Sequence, residues 1–188
     1  MEYTQTIVSA LSALTVIGQA IAMVLAVMLM RRSVLSSSSL LQWVSKHGMT
    51  LMLITASIAT VGSLYFSEVA GWTPCRLCWF QRIFMYPQVV LLALALWKKD
   101  KGIAPYILVL SIIGLLIATL HYGEQVSAAL FPTEIDPNVP CDTSGTSCRS
   151  TPFFHFGYIT IPMMAWTVFL LNILGSLAII RSKNNLVQ

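Results

Sequence analysis

The sequence predicts an all-α protein that crosses a membrane several times, and both its composition and its hydropathy pattern indicate this. Apolar residues make up 56% of the 188-residue chain and charged residues only 10%, whereas a soluble domain averages about 25% charged residues. The polar residues are therefore too few to cover a surface in water. The apolar residues fall into five runs, each close to the roughly 20 residues that a helix needs to cross a bilayer.

Each of these runs predicts a transmembrane helix. Strands in a bilayer must close into a barrel, in which apolar and polar residues alternate, and no run shows that alternation. The runs extend from Ile7 to Met30, Met49 to Phe66, Trp79 to Trp97, Ile103 to Tyr122 and Tyr158 to Ile180. We therefore expect a polytopic bundle of helices.

The first run lacks the features of a cleaved signal peptide. Such a peptide carries positive charge ahead of its apolar stretch. Here the segment from Met1 to Thr6 contains no Lys or Arg, and Arg31 and Arg32 follow the run instead. No small-residue cleavage site stands out. We expect this helix to be retained, with its N-terminus outside the cytoplasm.

Basic residues are concentrated in the connections on one predicted side of the membrane. Cytoplasmic connections carry an excess of Lys and Arg, and that rule places the C-terminus inside and both cysteine pairs outside. The basic residues on the predicted inner side are Arg31, Arg32, Lys46, Lys98, Lys99, Lys101, Arg181 and Lys183. The net charge of +4 does not indicate nucleic-acid binding, because these residues lie between apolar runs rather than along one face.

The first cysteine pair, Cys75-Arg-Leu-Cys78, follows Pro74 at the start of the third run. Pro is favoured in the first helical turn, so we expect a helix to begin at or just after the cysteines. The positive potential there lowers a thiol pKa and favours the thiolate, which is the reactive form in disulfide exchange. Arg82 shares a helix face with Cys78 and could stabilise that thiolate. The alternative is that Arg82 reaches the lipid headgroups.

The second pair, Cys141 and Cys148, lies in a polar loop on the same predicted side. Disulfides persist outside the cytoplasm, and a disulfide across so short a loop adds little stability by loop entropy. We expect it to be exposed to attack by a protein thiol. Two static structural disulfides and a four-thiolate zinc site are the alternatives. We predict no metal, because zinc ribbons use two Cys-x-x-Cys pairs, whereas six residues separate Cys141 from Cys148.

His121 ends the fourth run on the cysteine side. A single histidine at a helix end is usually an interfacial residue. Close to a thiolate and Arg82, it could instead donate a hydrogen bond to a quinone carbonyl.

Three segments together resemble the DsbB/BdbC family of disulfide-bond formation proteins. The first is Cys75-Arg-Leu-Cys78-Trp-Phe-Gln-Arg82-Ile-Phe-Met-Tyr86-Pro87, which is similar to the CxLCWxQR segment of that family. The others are His121-Tyr122 at a helix end and the segment from Phe156 to Pro162 after the second pair. The resemblance covers roughly residues 49–180.

The resemblance implies a membrane thiol:quinone oxidoreductase of the bacterial cytoplasmic membrane. Such a protein reoxidises an extracytoplasmic DsbA-like thiol oxidase of thioredoxin fold and passes the electrons to ubiquinone or menaquinone. By position, Cys141 and Cys148 would accept electrons from the partner, and Cys148 would then exchange with Cys75. Cys78 would face the quinone ring, supported by Arg82 and His121.

Two departures from the family pattern affect these expectations. The family core has four helices, so the first run is an additional helix. We expect residues 1–48 to form this helix and a cytoplasmic linker, residues 49–188 to form the four-helix domain around the quinone site, and the additional helix to pack outside it. The resemblance implies that the partner's thiolate attacks Cys141 first. The close spacing of Cys141 and Cys148 matches the shorter BdbC-like members rather than the long-loop members, which separate these cysteines far more.

Two other functions are compatible with membrane helices and cysteines. The first is a non-catalytic membrane protein, an assembly factor or transporter, with two structural disulfides. Transporters commonly carry charged groups near the bilayer midplane, and no charge in the five runs lies deeper than Arg82. The second is a reductase that passes electrons outward, but no cysteine lies on the predicted cytoplasmic side.

Overall fold

The computed structural model describes residues 2–30, 39–131 and 147–185. Long helices dominate this part of the chain, and each is long and apolar enough to cross a membrane. They are α1 (Glu2–Met30), α2 (Ser39–Leu64), α3 (Arg76–Lys98), α4 (Ala104–Leu130) and α5 (Ile161–Asn185). A π-helical turn, Tyr65–Val69, extends α2, and a short 3-10 turn, Lys101–Ile103, precedes α4. The predicted fold class, a polytopic all-α membrane protein, is confirmed.

Local sequence explains both ends of α3. Cys75 is the N-cap residue in extended conformation, and the helix begins at Arg76, directly after the Pro74-Cys75 segment. At the other end Lys99 adopts a left-handed conformation with φ of 55°, which stops the helix. Asp100 then accepts a hydrogen bond of 2.7 Å from the backbone N–H of Gly102, so the chain reverses within a few residues into α4.

The helix α5 lies at the centre of the packing and contacts α1, α2 and α4. Phe169 is fully buried among Ala56, Met85 and Ala118, which come from α2, α3 and α4. A Cβ atom at Gly114 would clash with the Phe169 ring, so glycine at this position lets α4 approach α5. A second cluster, which includes Met52, Leu92 and Ile107, joins the same helices further along the bundle.

A buried network of uncharged polar side chains joins the four helices α2 to α5. The Gln88 Oε1 atom accepts hydrogen bonds from Ser111 Oγ at 3.2 Å and from Asn172 Nδ2 at 2.8 Å. The Asn172 Oδ1 atom in turn accepts one from Thr55 Oγ1 at 3.0 Å. Hydropathy alone did not predict this network, because each of its residues is isolated within an apolar run.

The additional helix α1 packs along α5 over much of its length. Ala22 and Leu29 are buried against Leu174 and Ala178, and the Arg181 guanidinium donates a 2.6 Å hydrogen bond to the Leu29 carbonyl. This last contact places the end of α1 and the end of α5 together. We call this end of the bundle, which also carries Lys98, Lys99 and Lys101, the basic end, and the opposite end, with Cys75, Cys78 and Cys148, the cysteine end.

Candidate functional site

The structure brings Cys75, His121 and Cys148 together at the cysteine end. The nearest sulfur and ring nitrogen atoms of these three residues all lie within 4.8 Å of one another. The Cys75 Sγ atom is 3.6 Å from His121 Nε2. The Cys148 Sγ atom accepts a hydrogen bond from the Leu77 backbone N–H at 3.5 Å. One cysteine of each predicted pair, Cys75 and Cys148, therefore lies at the start of α3, and the two are neighbours.

The Cys75 thiol is a weaker acid than its position at the N-terminus of α3 predicts. Its pKa is raised from 9.0 to about 12, because its S–H donates toward Cys78 and because the side chain is buried, although the His121 contact opposes the shift. Our expectation that the helix N-terminus lowers the thiol pKa is therefore wrong for Cys75. Burial and a neighbouring sulfur acceptor outweigh the helix dipole at this position.

The thiol of Cys148 is held in its protonated form by similar forces. Its pKa is raised to about 12, mainly because burial disfavours the thiolate and because Cys75 lies beside it, although the Leu77 N–H works in the opposite direction. Cys148 is half-buried rather than fully exposed. Its predicted partner, Cys141, lies outside the described residues.

Gln81 orients the ring of His121 through a hydrogen bond to its Nδ1 atom. The Gln81 Nε2 atom lies 2.9 Å from His121 Nδ1, and an amide nitrogen can only donate. The Nδ1 atom therefore accepts, and in the neutral ring the proton resides on Nε2, which points at Cys75. The His121 side chain is 1% exposed, so it is not a freely solvated interfacial residue. The sequence motif contained Gln81, but its contact with His121 requires the fold.

Arg82 is buried beside the cysteines rather than extended to the headgroups. Its Nε donates to Ser63 Oγ at 3.0 Å, and one terminal nitrogen donates to the Ser63 carbonyl at 2.9 Å. The guanidinium carbon also lies 5.0 Å from the centre of the Trp79 ring. A guanidinium has five N–H groups, so donors remain for other acceptors. Sequence reasoning missed Ser63, which has no motif of its own.

A cavity of about 340 Å³ adjoins these residues. At the cysteine end its wall includes Cys75, Cys78, Arg82 and His121. The wall also includes Gln125, whose Oε1 atom is buried without a hydrogen-bond partner. Deeper in the bundle the wall becomes apolar. The cavity therefore has a polar head next to the thiols and an apolar extension.

The family described as "Disulfide bond formation protein DsbB" matches residues 45–180, which is more than half of the chain. The chain belongs to the DsbB family. The described residues contain five helices long and apolar enough to cross a membrane, so it is a multi-pass membrane protein, and the family name supports a role in disulfide formation.

Curated relatives in this DsbB family support the assignment. Disulfide bond formation protein C of Bacillus subtilis is 41% identical over 121 residues, which cover 64% of this chain and 83% of the relative. A probable disulfide formation protein C of Halalkalibacterium halodurans is 40% identical over 142 residues, which cover 74% of this chain and 99% of the relative. No solved structure matches the chain.

The DsbB family match leaves residues 1–44 outside it, yet the structure places part of that segment in the site. The α1 residues that line the cavity are Leu11, Leu14, Thr15, Ile17, Gly18 and Ile21. We expected this helix to pack outside the four-helix domain around the site. It packs mainly against α5, but the face that it turns toward α2 also lines the cavity, which we did not expect. The proposed domain boundary after residue 48 remains a prediction.

The loop before α5 is held at the cysteine end by aromatic packing. The Trp72 ring stacks on Phe66 with a centroid separation of 5.0 Å, and Phe153 packs on Trp72 at 5.7 Å. Gln125 Nε2 donates to the Ser150 carbonyl at 3.3 Å. These contacts keep the segment that carries Cys148 close to the start of α3.

The donor set Cys75, His121 and Cys148 also matches the ligand types of a zinc site. A structural zinc site requires a fourth ligand in tetrahedral arrangement. The absence of a metal stays a prediction, and metal analysis of the purified protein tests it.

Proposed function

We propose that this protein is a membrane thiol:quinone oxidoreductase. It would reoxidise a DsbA-like thiol oxidase of thioredoxin fold and pass the electrons to a membrane quinone, ubiquinone or menaquinone, in support of disulfide formation. The proximity of the Cys75 and Cys148 sulfur atoms, within 4.8 Å of each other, is the observation that carries the proposal. It supports direct thiol–disulfide exchange between the two cysteine pairs.

The first exchange would take place between the partner and the Cys141–Cys148 disulfide. A partner thiolate attacks one sulfur of that disulfide, which breaks the S–S bond and forms a mixed disulfide. The second partner thiol then attacks the partner's own sulfur in the mixed disulfide, and the cysteine of this protein is released as a thiol. The partner leaves oxidised, and Cys141 and Cys148 remain as two thiols, so both electrons now reside on this protein.

The second exchange would move those electrons to the first pair. The Cys148 sulfur attacks Cys75 in a Cys75–Cys78 disulfide, and the Cys78 thiolate is released. Attack by Cys141 on Cys148 restores the Cys141–Cys148 disulfide and leaves Cys75 and Cys78 reduced. His121, with its proton on Nε2, lies next to Cys75 and is placed to hold a proton near that sulfur during the exchange.

The cavity fits a quinone as the final acceptor. Its polar head offers N–H donors of Arg82 and the unpartnered Oε1 atom of Gln125, which suit the carbonyl and hydroxyl forms of a quinone ring. A bound quinone would accept the two electrons that Cys75 and Cys78 release when they reform their disulfide. Before that disulfide forms, Arg82 and the α3 N-terminus would hold negative charge on Cys78 beside the cavity. The Cys75 thiol would then supply one of the two protons of the quinol, and solvent at the cysteine end would supply the other.

The direction of flow is consistent with redox potentials. Thiol oxidases of the DsbA type have potentials near about −120 mV, so their reoxidation requires a stronger acceptor than most protein disulfides. We further propose that the cysteine end faces the extracytoplasmic side. Lys98, Lys99, Lys101 and Arg181 then lie at the cytoplasmic surface, as the positive-inside rule requires.

The test is a coupled assay with purified protein in detergent. A reduced DsbA-like oxidase and a soluble quinone analogue are mixed with wild type, Cys78→Ser or Ala20→Ser. Quinone absorbance should fall with wild type and with Ala20→Ser, because Ala20 is exposed on α1 and does not line the cavity. Cys78→Ser should not turn over.

Two results would contradict the proposal. Absence of turnover with any partner and quinone, together with cysteines that resist mild reduction, would favour structural disulfides. Bound zinc in stoichiometric amount, measured by metal analysis and lost in Cys75→Ser, would favour a metal site.

A further inference from the structure

One face of α1 forms a long wall of the cavity. The six cavity-lining residues, from Leu11 to Ile21, recur at helical spacing. At 1.5 Å per residue this wall is about 15 Å long. It begins near the level of Gly62 and Ser63 and continues into the apolar part of the bundle, so it extends well beyond the space that a single ring requires.

The opposite wall becomes apolar away from the cysteines. It includes Ile58 and Ala59 of α2 and Val168 and Leu171 of α5. The hydroxyl groups at this depth are already engaged, since Thr55 donates to Asn172 and Thr167 donates to the Met163 carbonyl. The deep part of the cavity therefore offers only apolar contact, which suits a hydrocarbon chain attached to a polar head.

The cavity is open to lipid along the seam between α1 and α2. Leu14 and Ile17 are 50% and 56% exposed although they line the cavity. The two helices come close where the Leu11 side chain covers Gly62, at 3.2 Å from the position of a Cβ atom there. A separate apolar groove of about 380 Å³ on the same seam shares Leu11, Ile58 and Gly62 with the cavity.

Contacts with α5, some of them at the edge of the cavity, hold α1 in place. Gly18, which also lines the cavity, lets α1 approach Thr167 and Leu171 of α5. Gln19 bonds to Thr167 at 3.3 Å and accepts a 2.8 Å hydrogen bond from the Tyr158 hydroxyl. Leu14 and Ile17 make none of these contacts, so they can be replaced while the contacts that fix the helix remain.

We infer that α1 binds the hydrocarbon tail of the quinone and is a specificity-determining wall of the site. This inference rests on the proposed function, since the polar head next to Cys78 and Arg82 is where the ring would lie. The tail then runs along Leu14, Ile17 and Ile21. The family match begins only at residue 45, so α1 lies outside the part of the chain that the family shares.

The first test measures affinity rather than turnover. Quinone analogues with one ring and either no tail or a tail of several isoprene units are bound to the oxidised protein, and Kd is measured by equilibrium dialysis in detergent. Leu14→Trp and Ile17→Trp should lower the ratio of long-tail to tail-free affinity about tenfold, because the indole ring would occupy space that the tail needs and an apolar pocket discriminates by about this factor. Val16→Trp should retain the wild-type ratio, because Val16 is on the same helix but does not line the cavity.

The second test locates the tail directly. A quinone analogue with a photoreactive group on its tail is irradiated with wild-type protein, and mass spectrometry identifies the labelled peptide. We expect label on the α1 peptide that contains Leu14, Ile17 and Ile21, reduced by competition with an unmodified long-tail quinone. A phospholipid that competes equally well would mean that the wall binds any hydrocarbon chain, which would overturn its role in quinone specificity.

The outcomes separate this inference from the proposed function. If wild type reduces quinone but both Trp variants keep the wild-type affinity ratio and α1 carries no label, α1 is not the tail wall and the inference fails alone. If wild type neither binds nor reduces any quinone, the proposed function itself fails.

Discussion

The sulfur atoms of Cys75 and Cys148 lie within 4.8 Å of each other, although the two residues belong to different pairs and to distant parts of the chain. The contact depends on α3 beginning at Arg76 and on the Phe66, Trp72 and Phe153 packing that holds the following loop. A disulfide requires sulfur atoms about 2.05 Å apart, so a modest side-chain movement would allow bond formation. Exchange between the pairs thus needs no large rearrangement.

A disulfide should form between Cys75 and Cys148 when their predicted partners are absent. In a Cys78→Ser, Cys141→Ser double variant, mild oxidation should convert most of the protein to the Cys75–Cys148 form, because the two sulfur atoms are neighbours. Peptide mapping under non-reducing conditions measures this product. Adding Cys75→Ser is the control and should remove the linked peptide. A double variant that stays fully reduced would show that the two sulfur atoms do not meet in the membrane protein.

Alkylation of the reduced protein should reveal the raised pKa values of Cys75 and Cys148. Both pKa values rise from 9.0 to about 12, so at pH 8 the thiolate fraction is roughly a thousandfold lower than that of a thiol with an unshifted pKa. Iodoacetamide labelling of each residue, followed by mass spectrometry, should accelerate about tenfold per pH unit up to the region of pH 12. The detergent-unfolded protein is the control and should level off near pH 9.0.

The raised pKa values of Cys75 and Cys148 also determine whether the stability of the reduced protein rises or falls with pH. The folded-state pKa of each thiol lies above its unfolded value, so the reduced protein has their full contribution below pH 9.0 and loses it as the pH rises toward 12. Thermal unfolding of the reduced protein should therefore show a Tm that falls across this window. A Tm that rises there would contradict the assignment.

Loss of the Gln81 amide should slow exchange at Cys75. Gln81 fixes the proton of His121 on Nε2 through its 2.9 Å contact with Nδ1, and a hydrogen bond worth about 1.4 kcal/mol corresponds to a tenfold change in rate. Gln81→Leu should lower the rate of Cys75 exchange by about that factor and shift its pH profile. Stopped-flow measurement with a small disulfide reports on the step. A rate loss without a change in the pH profile would indicate a packing role for Gln81 only.

Variants of Arg82 and Ser63 should distinguish the effect of the Arg82 charge on quinone binding from the effect of its position. Arg82→Met removes the cation beside the cavity, so we expect quinone KM to rise about tenfold or more. Ser63→Ala keeps the cation and removes the hydroxyl that accepts from Arg82 and Tyr86, so its effect should be smaller, about 1 kcal/mol. The KM values from steady-state assays, with Ala20→Ser as control, decide the order. Equal effects of the two variants would mean that Arg82 acts only as a link between α2 and α3.

The sequence predicted the helices and the motif well, and the interhelical contacts poorly. The five spans follow from hydropathy, and the face shared by Cys78 and Arg82 follows from a spacing of four residues on α3. The contact of Gln81 with His121 and that of Arg82 with Ser63 could not be predicted in this way, because each depends on the rotation of one helix relative to another. The cavity face of α1 was missed for a similar reason: nearly every residue of that helix is apolar, so hydropathy does not distinguish its faces.

Replacement of Asn172 would measure how much the buried polar network contributes to the stability of the fold. It donates to Gln88 Oε1 at 2.8 Å and accepts from Thr55 Oγ1 at 3.0 Å, thereby joining α5 to α3 and α2. Asn172→Leu removes two interhelical hydrogen bonds, but Gln88 Oε1 still accepts from Ser111 Oγ and Thr55 Oγ1 still donates to the Met52 carbonyl. Interhelical hydrogen bonds in membranes average about 0.6 kcal/mol each. We therefore expect a loss of about 1 kcal/mol in the free energy of unfolding, measured by denaturant titration in detergent. Thr119→Val is the control, because its hydroxyl makes its contacts on an exposed face and should cost less. If Asn172→Leu were as stable as wild type, helix–helix packing around Phe169 and Gly114 would be sufficient to fix the bundle, and the network would have to be explained by something other than stability.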